Sequence, residues 1–126
     1  MPDGPFRSCG SCRQAWRDWR ELVLDPGLRF LGLQVVPGMP EANLLVFEHG
    51  CGSSLSVLAS RLRRHLADDD RPAGLPSLYD SDACARHCRV LEDLEACDRP
   101  CANSRDRRLA LAIVEAKRSG VVPDVR

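Results

Sequence analysis

The sequence predicts a small α+β protein in which a β-hairpin and several helices are stapled by two cysteine-rich metal sites. Aliphatic stretches bounded by proline and glycine indicate the hairpin, and apolar residues at three- and four-residue steps indicate helices. Seven cysteines and one suitably placed histidine divide by position into two groups of four potential metal ligands. The chain of 126 residues fits one domain, and its few aromatic residues (two Trp, one Tyr and three Phe) predict a modest core that benefits from bound metal.

The N-terminal part is predicted to form a tight turn followed by a helix. Residues 1–8 have no regular pattern and are expected to form a disordered lead. The CGSC segment at residues 9–12 then makes a turn in which glycine exposes backbone N–H groups to sulfur. A helix is predicted over residues 14–23, ended by Asp25-Pro26-Gly27. Its apolar face comprises Trp16, Trp19, Leu22 and Val23.

Two strands joined by a proline-rich loop are predicted next. Residues 28–36 and 43–49 are rich in aliphatic side chains, and Pro37-Gly38-Met39-Pro40 separates them. The glycines of HGCG at residues 49–52 then allow a sharp bend. Residues 55–67 are expected to be helical, with a strand as the alternative for the first of them. The apolar stripe of this helix comprises Leu55, Leu58, Leu62 and Leu66.

Residues 68–76 have the composition of a loop, with three aspartates, two prolines and a glycine. They suggest a boundary between an N-terminal lobe at residues 1–70 and a helical lobe with four cysteines at residues 77–126. Both lobes are expected to belong to one compact domain.

The C-terminal lobe is predicted to be helical and rich in cysteine. A helix over residues 82–94 would place Cys84 and Cys88 one turn apart, so that both thiols project together. Pro100 lies inside a later cysteine pair of the same spacing, and proline disrupts a helix interior, so this pair is expected in a turn or at a helix start. A last helix is predicted over residues 104–119, closed by the glycine that follows.

The first predicted metal site has the spacing C-x2-C, a gap of 36 residues, and H-x-C. Structural zinc sites join two short-spaced ligand pairs from distant parts of a chain, and this gap has room for a helix and a hairpin that bring the pairs together. We therefore predict a Zn²⁺ site here, with reactive thiols or inert core cysteines as the alternatives. The four predicted ligands are Cys9, Cys12, His49 and Cys51.

The second predicted site has the spacing C-x3-C-x8-C-x3-C. Zinc is the favoured occupant, an iron–sulfur cluster held by four thiolates is the alternative, and two disulfides or no bridge at all are further alternatives. An odd number of cysteines leaves one thiol unpaired in any fully disulfide-bonded scheme. His87 could be an additional ligand, although a solvent-facing histidine is the simpler interpretation. The predicted ligands are Cys84, Cys88, Cys97 and Cys101.

These ligand positions resemble those of the zinc-ribbon and zinc-knuckle group, and more loosely those of a set of small bacterial proteins. The resemblance rests on CGSC at residues 9–12, on the segment 44–52, and on the four late cysteines. The sequence departs from the group because its first turn lacks the usual proline, its second turn uses histidine, and a helix is predicted between them. The resemblance implies a zinc-ribbon-like N-terminal lobe that binds metal.

Charge and composition limit the partners and the location that are expected. Eighteen basic and eighteen acidic residues balance, so no overall field attracts nucleic acid or anionic lipid. Arginines near residues 61–64 and 105–108 could meet an acidic partner, although solvated helix faces are the simpler interpretation. The first residues do not form a signal peptide, and no apolar run approaches the roughly 20 residues of a membrane span. A cytoplasmic protein is therefore expected.

The sequence contains no phosphate-binding glycine loop, serine nucleophile elbow or paired-carboxylate arrangement. No catalytic residue is predicted, and a non-enzymatic role is favoured. The function expected is that of a small zinc-binding protein that acts as an interaction or accessory module, with structural metals and a protein partner. The alternative is an iron–sulfur electron-transfer or accessory subunit.

Overall fold

The computed structural model describes residues 5–66, 75–97 and 99–122 and confirms the α+β class. Small antiparallel sheets and helices alternate along the N-terminal half, and one long helix closes the described chain. The predicted loop at residues 68–76 lies mostly outside the described residues. The elements in chain order are β1 (Arg7–Ser8), β2 (Ala15–Trp16), α1 (Trp19–Leu24), β3 (Leu28–Gln34), β4 (Leu44–His49), β5 (Ser54–Leu58), α2 (Ala59–Leu66) and α3 (Ala102–Ser119), with 3-10 turns at Pro40–Ala42 and His87–Arg89.

The main sheet has three antiparallel strands in the order β3-β4-β5. In β4 the side chains alternate, so that Leu45, Phe47 and His49 are buried while their neighbours are half-buried. Leu28 pairs with His49, which places the end of β4 beside the start of β3. Within residues 55–67, strand β5 confirms the alternative of a strand for the first residues, and the helix begins only at Ala59. The residues of β5 alternate between buried and less buried positions, and pairing with β4 outweighs the helical spacing of the leucines.

A second, two-stranded sheet flanks the first predicted turn. Arg7 pairs with Trp16 across β1 and β2, so part of the predicted disordered lead is a strand, while residues 1–4 lie outside the described chain. The helix predicted from residue 14 begins only at α1, because the Asp18 side chain accepts a hydrogen bond from the backbone N–H of Glu21 and caps it. Trp16, assigned to that helix face by its spacing, is buried from a strand instead.

One hydrophobic cluster joins the N-terminal sheet to the C-terminal helix. Helix α3 packs against α1, α2 and β3, and Gly120 closes it in the left-handed conformation, as predicted. The largest fully buried apolar residues of the cluster are Trp16, Phe47, Leu22, Leu28, Leu33, Leu45, Leu62, Leu109, Ile113 and Val23.

A buried polar network fastens α3 to the sheet. The Asn43 side-chain amide donates to Asp106 at 2.9 Å and to Asn103 at 2.8 Å, and all three residues are buried. Arg63 of α2 donates twice to the same carboxylate, at 2.7 and 2.9 Å. Because buried polar groups are costly unless they are paired, this network specifies how α2, α3 and β4 meet.

The helix predicted over residues 82–94 is wrong. Arg86 has a left-handed φ of 71° and only a 3-10 turn follows it, so Cys84 and Cys88 do not share a helical face. The chain instead crosses the β3 bulge, where a Cβ on Gly32 would lie 1.8 Å from the Leu91 carbonyl oxygen. This backbone approach outweighs the local helical pattern.

Candidate metal centre

The structure brings together the four ligands of the first predicted site. One ligand atom from each of Cys9, Cys12, His49 and Cys51 lies within 4.8 Å of the others. Cys9 and His49 are buried, whereas Cys12 and Cys51 face solvent. The group is formed by the turn that follows β1 and by the bend between β4 and β5, which are far apart in sequence. It is therefore a Cys3His group that could hold a metal ion.

Three distances between these ligand atoms are close to the edges of a tetrahedron around one ion. The sulfurs of Cys9 and Cys51 are 3.6 Å apart, and His49 Nδ1 lies 3.5 Å from the sulfur of Cys12 and 3.2 Å from that of Cys51. Ion–ligand distances of about 2.3 Å for sulfur and 2.0–2.1 Å for nitrogen give edges of about 3.8 Å between sulfurs and about 3.6 Å between sulfur and nitrogen. The spacing thus fits an ion the size of Zn²⁺.

Two similar backbone turns hold the ligands. The Arg13 N–H donates to the Cys9 carbonyl at 3.0 Å, and the Gly52 N–H donates to the His49 carbonyl at 2.9 Å. In each turn, the residue that follows the last ligand has a left-handed backbone conformation, with φ of 67° at Arg13 and 95° at Gly52. Only glycine adopts this conformation without steric cost, so the second turn uses the expected residue and the first does not.

Hydrogen bonds within the turns stabilise thiolates at two of the three cysteines. Backbone N–H groups of Cys12 and Ser11 lower the pKa of Cys9, and the backbone and hydroxyl of Ser53 lower the pKa of Cys51 to about 7. A hydrogen bond from the Gln14 backbone lowers the pKa of Cys12, but partial desolvation and the neighbouring thiols together outweigh it, so that this pKa is raised. Since metals bind the thiolate form, the turns prepare Cys9 and Cys51 as ligands.

A chain of hydrogen bonds behind His49 orients its ring. Its Nε2 lies 2.9 Å from Gln14 Oε1, an acceptor, so Nε2 carries the proton and the Nδ1 lone pair points at the sulfurs. The Gln14 amide donates to Asp25 at 3.0 Å, and the Trp16 indole donates to the same carboxylate at 2.7 Å. These hydrogen bonds, together with one from the Gly27 N–H, contribute to a pKa of Asp25 below its usual value despite the opposing effect of burial.

Gln14 and Asp25 were missed by the sequence reasoning. Neither residue type at its position carries a metal-binding signal, and both reach the site only because β2 and the end of α1 lie beside β4. A histidine ligand generally donates its second ring N–H to a hydrogen-bond acceptor. From the sequence alone, one could therefore only have expected some acceptor beside His49, without knowing which residue provides it.

The second predicted set lines a single small cavity. The residues that line a space of about 10 Å³, roughly that of one water-sized sphere, include Cys84, Cys88, Cys97 and Cys101. The sulfur of Cys101, which caps α3, accepts from the Leu78 N–H at 3.1 Å and the Asn103 N–H at 3.4 Å. The Cys84 sulfur accepts from the Arg86 N–H at 3.2 Å. The prediction that the second pair lies at a helix start is confirmed at Cys101.

These four thiols are not drawn together like the first set. Within the described ranges, the Cys3His group is the one whose ligand atoms converge within 4.8 Å, and the second metal site stays a prediction. All seven cysteines are free thiols. His87, considered as an extra ligand, is half-buried and pairs with Asp93 at 3.0 Å.

Two of the arginines that the sequence assigned to possible basic surface clusters make hydrogen bonds inside the protein. Arg107 is buried and donates to the backbone oxygens of Glu95 and Asp93, and its guanidinium lies 3.8 Å from the sulfur of Cys88. Arg63 pairs with Asp106. These two side chains stabilise the fold rather than extend a basic surface.

The fold and the site define a small α+β protein with a Cys3His group able to hold a metal ion. Comparison with known proteins finds no matching family model, no matching curated protein and no matching solved structure. Among the described residues, no helix has the length and apolar character to cross a membrane.

Proposed function

We propose that this protein is a small zinc-binding module in which the metal is structural and the rest of the surface serves interaction. The observation that carries the proposal is the convergence of Cys9, Cys12, His49 and Cys51 from two distant turns. Three sulfurs and one nitrogen at tetrahedral spacing suit zinc, whereas magnesium and calcium prefer oxygen ligands.

The ligand set favours a structural over a catalytic ion. Catalytic zinc usually has three protein ligands and an open position for water, whereas four protein ligands complete the coordination sphere. The ion would connect the turn after β1 to the end of β4, which otherwise meet through few hydrogen bonds, such as that between the hydroxyls of Ser53 and Ser11 at 2.5 Å. Zinc would therefore contribute directly to folding of the N-terminal part.

We also propose a second zinc ion among the four late cysteines. The supporting observations are that all four thiols line one cavity of about 10 Å³ and that backbone N–H groups already point at two of the sulfurs. The buried Arg107 guanidinium near Cys88 would offset part of the negative charge of four thiolates.

The alternative occupant of this second site is an iron–sulfur cluster, which would make the protein an electron-transfer or accessory subunit. The observation in its favour is that the four thiols surround a cavity without converging as closely as the first set. A cluster spreads its cysteine ligands over several metal atoms, whereas one zinc ion draws them together. The small volume of the cavity favours the single ion.

Structural metal ions favour an interaction or accessory role. They stabilise the fold but leave no open coordination position for a reaction, so the surface of the domain would carry the function. We propose a protein partner and a cytoplasmic location, where a reducing environment keeps seven cysteines available as ligands. Nucleic acid is the less favoured partner, because the chain is neutral overall and Arg63 and Arg107 are engaged internally.

The test is metal analysis of protein purified without oxygen, together with its visible spectrum. We expect two zinc ions per chain and no colour. Cys12→Ser and Cys88→Ser should each remove one zinc ion, while Ser60→Ala, on an exposed position of α2, should remove none. Unchanged zinc content in Cys12→Ser would overturn the first site. Iron, sulfide and a brown colour would show that the second site holds an iron–sulfur cluster instead of zinc.

A further inference from the structure

An open groove with an apolar wall and a cationic edge has none of the eight predicted metal ligands in its lining. It has a volume of about 480 Å³, within the range of small-molecule sites, and is formed by the end of α1, by β3, by α3 and by the segment near residue 94. Its accessible apolar wall comprises Leu24, Pro26, Phe30, Leu94 and Val114, and the fully buried Leu28 also borders it.

Lys117 lines the same groove and is half-buried. Its ammonium group donates to the Asp25 carbonyl at 3.1 Å and lies 5.9 Å from the centre of the Phe47 ring. An ammonium has three N–H donors, and the hydrogen bond to this carbonyl satisfies one of them. Burial lowers the pKa of Lys117 to about 8. The charged form of this lysine has therefore lost part of its hydration, which is unfavourable.

The groove has positive charge that its own lining does not neutralise. None of the described residues that line it is acidic. The carboxylate of Asp25 attracts the Lys117 ammonium through space, but its hydrogen bonds come from Gln14, Trp16 and Gly27. The hydrogen bond of the lysine goes to the Asp25 backbone carbonyl instead. Arg29, the other cation of the lining, already pairs with Glu48 at 2.6 Å. Lys117 is therefore the group with donor capacity left for an anion.

We propose that this groove binds a small apolar carboxylate, with the carboxylate on the Lys117 ammonium and the hydrocarbon part against the aliphatic wall. Charge complementarity selects an anion, because the half-buried cation gains an opposite charge in place of lost hydration. The apolar wall selects a hydrocarbon tail, because burying CH₂ groups away from water is favourable. The site goes beyond the proposed metal-stapled module, because none of its lining residues is a predicted metal ligand.

The experiment uses octanoate as the probe and 1-octanol as its neutral counterpart, titrated into the metal-loaded full chain by calorimetry. We expect octanoate to saturate one site per chain and 1-octanol to bind at least tenfold more weakly. Lys117→Met retains the length of the side chain without its charge and should weaken octanoate at least tenfold. The matched control is Arg118→Met, which removes an exposed cation of α3 that pairs with Glu115 and should leave binding unchanged.

A second variant and a second readout keep the test independent of folding defects. Val114→Glu places a carboxylate at the half-buried wall and should also abolish octanoate binding. In amide NMR spectra, the shifts caused by octanoate should centre on α1, β3 and the end of α3. Equal binding of octanol and octanoate, full binding by both groove variants, shifts elsewhere, or octanoate-induced dimerisation without a groove response would each overturn the proposal.

Discussion

Gln14 accepts a hydrogen bond from the imidazole of His49, with 2.9 Å between Oε1 and Nε2. The same amide donates to Asp25, so the glutamine is locked in one orientation and in turn fixes the histidine. Because a ligand histidine must present a lone pair from Nδ1, this outer hydrogen bond decides whether the fourth ligand is available to the metal. The candidate metal centre therefore extends beyond its four predicted ligands to Gln14, which precedes β2, and to Asp25, which ends α1.

Replacing Gln14 by leucine should weaken zinc binding without removing a ligand. Loss of an outer partner of a histidine ligand typically costs about 10–100-fold in metal affinity, and we expect a loss in that range. Competition with a coloured chelator measures it. Gln34→Leu, on an exposed position of β3, is the control and should leave the affinity unchanged. An unaltered affinity in Gln14→Leu would show that the His49 ring is oriented by other contacts.

The thiols of the first site should differ in reactivity when metal is removed. The pKa of Cys51 is lowered to about 7 while that of Cys12 is raised, so at pH 7 a larger share of Cys51 is thiolate. Alkylation followed by mass spectrometry should modify Cys51 before Cys12 in the metal-free protein, and zinc should protect both. As the pH falls below 7, protonation of Cys51 should weaken zinc binding. Faster alkylation of Cys12 would contradict this order.

Gly32→Ala should separate the C-terminal segment from the sheet. A Cβ at this position would lie 1.8 Å from the carbonyl oxygen of Leu91, and the φ of 153° disfavours any side chain. Backbone must therefore move, and we expect a loss of about 2 kcal/mol or more in the free energy of unfolding, measured by urea titration. Gly10→Ala is the control, since its Cβ would meet nothing within 4 Å. Equal stability of the two variants would mean that the segment does not rest on β3.

Asp106→Asn tests the buried network. The substitution keeps the shape of the side chain but leaves Arg63 without its charged partner in a mostly buried position. Removing one partner of a buried ion pair costs about 3–5 kcal/mol, and the remaining exposure of Arg63 places the expected loss near the lower end. Arg17→Met, which breaks the exposed pair with Glu21, should cost no more than about 0.5 kcal/mol. If both variants lost a similar amount of unfolding free energy, the ion pair of Asp106 and Arg63 would contribute no more than a surface ion pair.

The sequence predicted the first ligand set because its signal is local. A C-x2-C pair in a glycine-containing turn and an H-x-C pair at a strand end can each be recognised within a few residues. The last helix was predicted for the same reason, since its start after a proline and its closure at Gly120 depend on nearby residues. Backbone preference and short-range hydrogen bonding determine such features without knowledge of the rest of the chain.

Helical spacing was misleading wherever pairing or docking at long range competed with it. Leu55 and Leu58 fit a helix face, yet they lie on β5 because β4 offers a row of backbone partners. Residues 82–94 fit a helix, yet the Leu91 backbone rests against Gly32. The predicted boundary between the lobes lies largely outside the described residues, and its position stays a prediction.

The sequence by itself determined the first group of four candidate ligands and the mixed α+β class, since these depend on residue chemistry and short spacing. Only the tertiary structure decided that His49 reaches Gln14, that Lys117 lines an apolar groove, and that the first four ligands converge while the late cysteines surround a cavity. The physical reason is that these relationships are distances between atoms far apart along the chain, and they are set by how the sheet and α3 pack.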